Sequence, residues 1–258
     1  MTVAVVTGAS RGIGRATAVA LAEAGFAVGL VARSTDALEE TRLLVKHAGA
    51  RAESVVADVT DPAAVAEAVA RIEGEIGPIA VLVNNAGSLR AIGPLWEVDA
   101  DDWWADVTTS LGGTFNLCRA VVPRMLERRA GRIVNVTSYA AFRPAPRETG
   151  YAAAKAAIAS LTEGLAASLS EHGIKAFAVA PGFTRTELTS RLPDAGDRPA
   201  LDPDQTAALV ALIAGGGADE LSGRVLHTLD DVETLLGSID EIRRDDLYAP
   251  RLRRLPGA

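Results

Sequence analysis

Short apolar, β-branched runs alternate along the chain with longer stretches whose apolar positions recur at helical spacing. Runs at 2–7, 27–32, 52–57, 79–83, 132–136, 174–180 and 224–228 are too short for helices and read as strands. Helical patterning fills the intervals: to about Ala24, over 36–47, after Asp61-Pro62, from Asp99 to about Arg129, over 151–171 and after Asp202. Asp61 before Pro62 places an N-cap ahead of a proline at the first helical position. Asp202 before Pro203, with Gln205 three residues on, adds a capping box. Strands alternating with helices in this way predict a doubly wound parallel sheet, an α/β fold. Ligands bind such sheets beyond the carboxyl ends of the strands. Residues 187–201 form a Pro-, Asp- and Arg-rich loop above those ends, a lid candidate. The last strand is expected to lead into a short helix and an arginine-bearing tail, a C-terminal extension over about 230–258.

Composition narrows the class. A chain of 258 residues suits one large domain, 1–258, and falls short of two comfortable ones. Its net charge of −7 offers no general basic surface for nucleic acid or an anionic membrane. One cysteine, Cys118, and 3 histidines exclude a Cys-His metal cluster, and no metal site is expected. Met1 runs directly into the first strand with no charged leader or long apolar stretch, which predicts a cytoplasmic protein.

The first strand ends in Thr7-Gly8-Ala9-Ser10-Arg11-Gly12-Ile13-Gly14 before an alanine-rich helix. Glycines in such a turn let backbone approach a phosphate, and the helix start aims free N–H groups at it. The spacing is neither G-x-G-x-x-G nor a G-K-S/T loop, and a plain βα turn would look the same. Arg33 follows the second strand, where an acidic residue would hold a ribose 2′-hydroxyl; with Arg11 it offers charge to a 2′-phosphate, which predicts NADP(H). Asp58-Val59 closes the third strand where a carboxylate meets an adenine amino group. Tyr151 and Lys155 sit four apart and share a helix face. A lysine there favours the phenolate, making a group of reference pKa about 10 a usable acid or base. Taken singly, the pair also fits a partly buried tyrosine beside a solvated lysine.

Taken together, Thr7-Gly8-x3-Gly12-x-Gly14, Asn84-Asn85-Ala86-Gly87, Ser138, Tyr151-x3-Lys155 and Pro181-Gly182 resemble the short-chain dehydrogenase/reductase superfamily in its compact branch, from Met1 to about Thr186. The resemblance implies a Rossmann-type sheet of seven parallel strands in the order 3-2-1-4-5-6-7, and hydride transfer between a nicotinamide and a carbonyl or secondary alcohol. It implies Tyr151 as general acid or base, Lys155 as the group that lowers its pKa and bonds the nicotinamide ribose, and Ser138 as hydrogen-bond donor to the substrate oxygen. Gly8, Ser10, Arg11, Ile13 and Gly14 then line the pyrophosphate and adenosine end, Asp58 and Val59 flank adenine, Asn85 a ribose, and Thr184 the nicotinamide amide. Family members commonly form homotetramers or homodimers.

Two positions depart from the family pattern. Ser110, in Thr109-Ser110-Leu111-Gly112-Gly113, stands where relatives carry an Asn that helps hold a water relaying protons to the lysine; the helix carbonyl there is the alternative holder. The last strand ends in His227-Thr228-Leu229-Asp230-Asp231 instead of Asp-Gly-Gly, and the tail beyond is expected to reach a neighbouring subunit or its active-site rim. The leading expectation is an NADP(H)-dependent ketone reductase. The alternative is a catalytically idle dinucleotide-binding sensor or interaction module. Acyl-thioester reduction on a carrier protein, with Arg128 and Arg129 near the rim, is a third reading.

Overall fold

A computed structural model describes residues 2–197 and 199–251. The predicted alternation is present: β1 (Val3–Thr7), α1 (Gly12–Glu23), β2 (Ala27–Ala32), α2 (Thr35–His47), β3 (Ala52–Val56), α3 (Pro62–Ile76) and β4 (Ile79–Asn84) form the first half. After it come α4 (Ala100–Val107), α5 (Gly113–Arg128), β5 (Gly131–Val136), α6 (Thr149–Leu169), β6 (Ile174–Ala180), α7 (Pro203–Ala214), β7 (Val225–His227), α8 (Val232–Gly237) and α9 (Ile239–Arg244). The seven strands pair in parallel in the order β3-β2-β1-β4-β5-β6-β7.

Every residue of β1 and β2 is buried, as continuous apolar runs in a sheet covered on both faces require. Alternate side chains serve two separate cores. Ala4 and Val6 face α1, α2 and α7 through Leu21, Leu38 and Val210, and the same core takes Val232, Leu235 and Ile242 from α8 and α9. Val3 and Val5 face α3, α5 and α6 through Ile72, Val121 and Leu169. The caps lie where expected: Asp61 accepts from the N–H groups of Ala63 and Ala64, and Asp202 closes a capping box with Gln205.

Two expectations are corrected. The helix expected from Asp99 to about Arg129 is broken by a π-helical turn at Thr108–Gly112, a feature frequent at functional sites. Two short helices follow the last strand, not one. As far as Arg251 the tail folds on its own subunit: Tyr248 O accepts from Val225 N at 2.8 Å, Asp246 pairs with Arg224, and Arg251 pairs with Asp246 and with Glu163 of α6. Residues 252–258 of the expected tail, and Arg198 of the expected lid, lie outside the described residues.

Candidate active site

At the carboxyl end of the sheet the chain turns tightly after β1. Gly8 has φ +64°, a left-handed conformation that favours glycine, and a Cβ there would stand 2.9 Å from Asn85 Nδ2. A Cβ at Gly14 would fall 2.2 Å from Gly8 O, so only glycine lets α1 start this close to the turn. Arg11, the N-cap of α1, makes no side-chain cap bond, leaving the first-turn N–H groups facing the turn. Asn85 Nδ2 donates to Thr7 O at 2.9 Å, and Thr7 Oγ1 accepts from Asn85 N and Ala86 N, which ties the ends of β1 and β4 together.

A cleft of about 410 Å³ opens over these ends. Gly8, Ser10, Arg11, Ile13 and Gly14 line it, as do Arg33, Asp58, Val59 and Asn85, and on the far side Ser138, Tyr151, Lys155 and Thr184. Ser110 is fully buried and does not reach its surface.

Ser138, two residues beyond β5, caps a short 3₁₀ turn, its Oγ accepting from Ala140 N at 3.2 Å. Tyr151 and Lys155 occupy the first turns of α6. A buried chain holds α6 against the sheet: Asn84 Nδ2 donates to Asn135 Oδ1 at 2.8 Å and Asn135 Nδ2 to Thr162 Oγ1 at 2.9 Å. Thr137 Oγ1 donates to the Lys155 carbonyl at 2.7 Å, and Lys155 Nζ donates to Val136 O at 2.6 Å. The ammonium lies 5.6 Å from the Tyr151 ring centroid.

Burial pushes Lys155 down to about 8. Burial also pushes the Tyr151 phenol up to about 12; the hydrogen bond with Ser138 pulls it down, and the charges of Glu148 and Asp106 add to the rise. The net rise is opposite in sign to the lowering expected from the lysine. Desolvation of the phenolate is its largest cause. Tyr151 is therefore protonated at neutral pH, in the form that donates a proton.

At the outer end, Arg33 NH1 lies 3.9 Å from Asp58 Oδ2. Partial burial works against the Asp58 carboxylate, but the Thr60 N–H and hydroxyl and the Arg33 and Arg90 charges hold it below the usual range. Arg11 pairs with Glu187 at the start of the expected lid, so its guanidinium reaches across the cleft mouth. Arg128 and Arg129 lie at the opposite end of the sheet, donating to Ile79 O and Glu171 O. That removes them from the cleft rim.

Ser110 sits in the π turn with both its groups engaged. Its Oγ accepts from Ser88 N at 3.4 Å, and its carbonyl accepts from Thr114 Oγ1 and Gly113 N. The carbonyl named as the alternative water holder already accepts two bonds from within the helix, that from Gly113 N being shared with Thr108 O. Asp106, just before this turn, went unrecognised in the sequence: fully buried, it accepts from Ser88 Oγ, Arg90 N and Ala91 N. The only signal was a carboxylate three residues after Trp103 and four before Ser110, on the face that otherwise turns inward.

The residues fit a nicotinamide dinucleotide. The glycine turn leaves room for a pyrophosphate at a helix start, and Thr184 Oγ1 is buried on the cleft wall without a hydrogen-bond partner among the described residues. The family model for short chain dehydrogenase matches residues 2–196. A short chain dehydrogenase of Monascus purpureus is 38% identical over 254 residues, covering 96% of this chain and 87% of that protein. NAD⁺-bound xylitol dehydrogenase superposes with TM-score 0.82 at 31% identity, covering 88% of this chain and 96% of that one. An actinorhodin polyketide ketoreductase variant with NADPH gives TM-score 0.80 at 30% identity, covering 88% and 95%. With seven parallel strands in the family order and a glycine turn facing a tyrosine and a lysine across one cleft, this chain belongs to the short-chain dehydrogenase/reductase family of nicotinamide-dependent oxidoreductases.

Proposed function

We propose that the protein is an NADP(H)-dependent ketone reductase acting on a small-molecule carbonyl, with the secondary alcohol as product. The observation that carries this reading is the meeting of Ser138, Tyr151 and Lys155 on one wall of the cleft, with Tyr151 held protonated. The reduced nicotinamide supplies the hydride to the carbonyl carbon when bound. Ser138 hydrogen-bonds the carbonyl oxygen and stabilises the charge growing there. Tyr151 gives that oxygen its proton, and the buried Lys155 ammonium offsets the phenolate left behind.

NADP(H) is supported by Arg33 in place of an acidic residue beyond β2, and by Arg11 on the same rim. The likeness to a polyketide ketoreductase with NADPH supports the reductive direction, while the likeness to an NAD⁺-bound dehydrogenase makes cofactor choice a point to test. We read the assembly as a homodimer or homotetramer. Trp104, 61% exposed, and Phe115 form an apolar groove with Leu161 that suits a second copy, and light scattering in solution tests it.

The deciding experiment is a turnover screen of NADPH and NADH against ketones, β-ketoacyl thioesters and cyclic carbonyls, with Tyr151→Phe alongside. A reductase loses turnover in the variant by roughly a hundredfold or more while still binding NADPH. The idle-binder reading draws on Ser110, whose Oγ accepts from Ser88 N and whose carbonyl accepts from Thr114 Oγ1. It predicts cofactor binding without turnover in either protein.

A further inference from the structure

We propose that Asp106 is a positioning residue for the reaction, its buried carboxylate clamping Ser88–Ala91 as the fixed wall of the cleft that faces Tyr151. The inference rests on the reductase reading above for its effect on chemistry, and on geometry alone for the clamp.

Asp106 is 0% exposed, and a carboxylate so buried requires donors for both oxygens. It has them. Oδ1 accepts from Ser88 Oγ at 2.7 Å and Arg90 N at 2.8 Å; Oδ2 accepts from Arg90 N at 3.0 Å and Ala91 N at 3.1 Å. One side chain on α4 thereby fixes backbone 15 and 16 residues away in sequence, and a side-chain hydroxyl 18 residues away. The clamped residues Ser88 and Arg90 line the cleft, and the next residue upstream is Gly87. A Cβ on Gly87 would lie 3.5 Å from Ser110 Oγ and 3.6 Å from Lys155 Nζ, so a shift of this wall disturbs the lysine directly. Ser88 N also donates to Ser110 Oγ, which places Asp106 of α4 and Ser110 of the π turn behind one wall.

The clamp also sets a charge. The charged groups acting on Tyr151 are Lys155 on its own helix, Glu148 just before that helix, and Asp106 from α4. Asp106 opposes formation of the phenolate, adding to the larger effect of burial. Replacing the carboxylate by an amide removes that opposition, so ionisation of Tyr151 moves to lower pH.

The test uses Asp106→Asn in the full-length protein with two readouts that need no substrate. Hydrogen exchange at the Arg90 and Ala91 amides is expected to quicken at least about tenfold while β1–β4 amides hold their protection. Tyrosinate absorbance titration, with the matching Tyr151→Phe protein subtracted, is expected to place the Tyr151 midpoint at least about half a pH unit lower. Unchanged exchange at Arg90 and Ala91 overturns the clamp. Faster exchange with an unmoved titration shows a packing role only and also overturns the proposal. Should Asp106→Asn not fold, the wild-type protein decides: the Arg90 and Ala91 amides must exchange at least about tenfold more slowly than those of Leu95 and Trp96 in the same loop. A protein that turns over no carbonyl yet shows both shifts keeps the clamp and loses the reductase reading.

Discussion

On the wall formed by the ends of β1 to β4, the cleft is shaped by backbone: the Gly8 turn, the start of α1 and the Asn85 tie to Thr7. On the rest of its circumference, from α4 and residues 88–91 round to the end of β5 and α6, it is shaped by buried side chains: Asp106, Ser110, Asn135, Thr137 and Lys155. The first wall tolerates change wherever a side chain points outward and fails where a Cβ meets backbone. The second depends on polar groups whose partners lie far off in sequence, and each lost partner leaves another group buried and unsatisfied. Position is thus set by sterics on one wall and by hydrogen bonding on the other.

The largest expected effect tests the second wall. Lys155→Met should cut reductase turnover by roughly a hundred- to ten-thousandfold in steady-state assays, with NADPH binding weakened far less. The pH profile belongs to the same residue. Burial lowers its pKa to about 8, so the ammonium is present below that pH and lost above it, and reduction should fall as pH rises through about 8. A flat profile between pH 7 and 9 would break the assignment.

Gly14→Ala tests the first wall. The added Cβ meets Gly8 O at 2.2 Å, and such overpacking costs about 1–3 kcal/mol; thermal melting and cofactor titration should both register it. Arg33→Ala should weaken NADPH binding by about tenfold, or ~1.4 kcal/mol, and leave NADH unchanged. Equal loss for both cofactors would mean that Arg33 does not discriminate. The smallest effect is Trp103→Phe, which removes the Nε1 donor to Thr149 Oγ1 at 3.1 Å at the start of α6. About 1 kcal/mol of stability should go, visible as a lower Tm.

The same contrast governs what could be read in advance. The glycine turn and the Asp61 and Asp202 caps act on neighbours within a few residues, so their residue types carried the geometry. Asp106 looked like any helical acid in the sequence, because its partners at 88–91 become neighbours only when β4 and α4 fold back together. The π turn at Thr108–Gly112 was likewise invisible, since its pattern continues the helical period on either side.

By itself the sequence determined the alternation of strands and helices, the glycine turn between β1 and α1 and the placement of Tyr151 and Lys155 on one helix face, all consequences of local sterics and of periodicity. Only the tertiary structure decided how deeply Tyr151 and Lys155 are buried, that Ser110 Oγ meets Ser88 N, and that the tail to Arg251 contacts β7 and α6. Those outcomes depend on burial and on which charges end up adjacent, and both are properties of the packed chain.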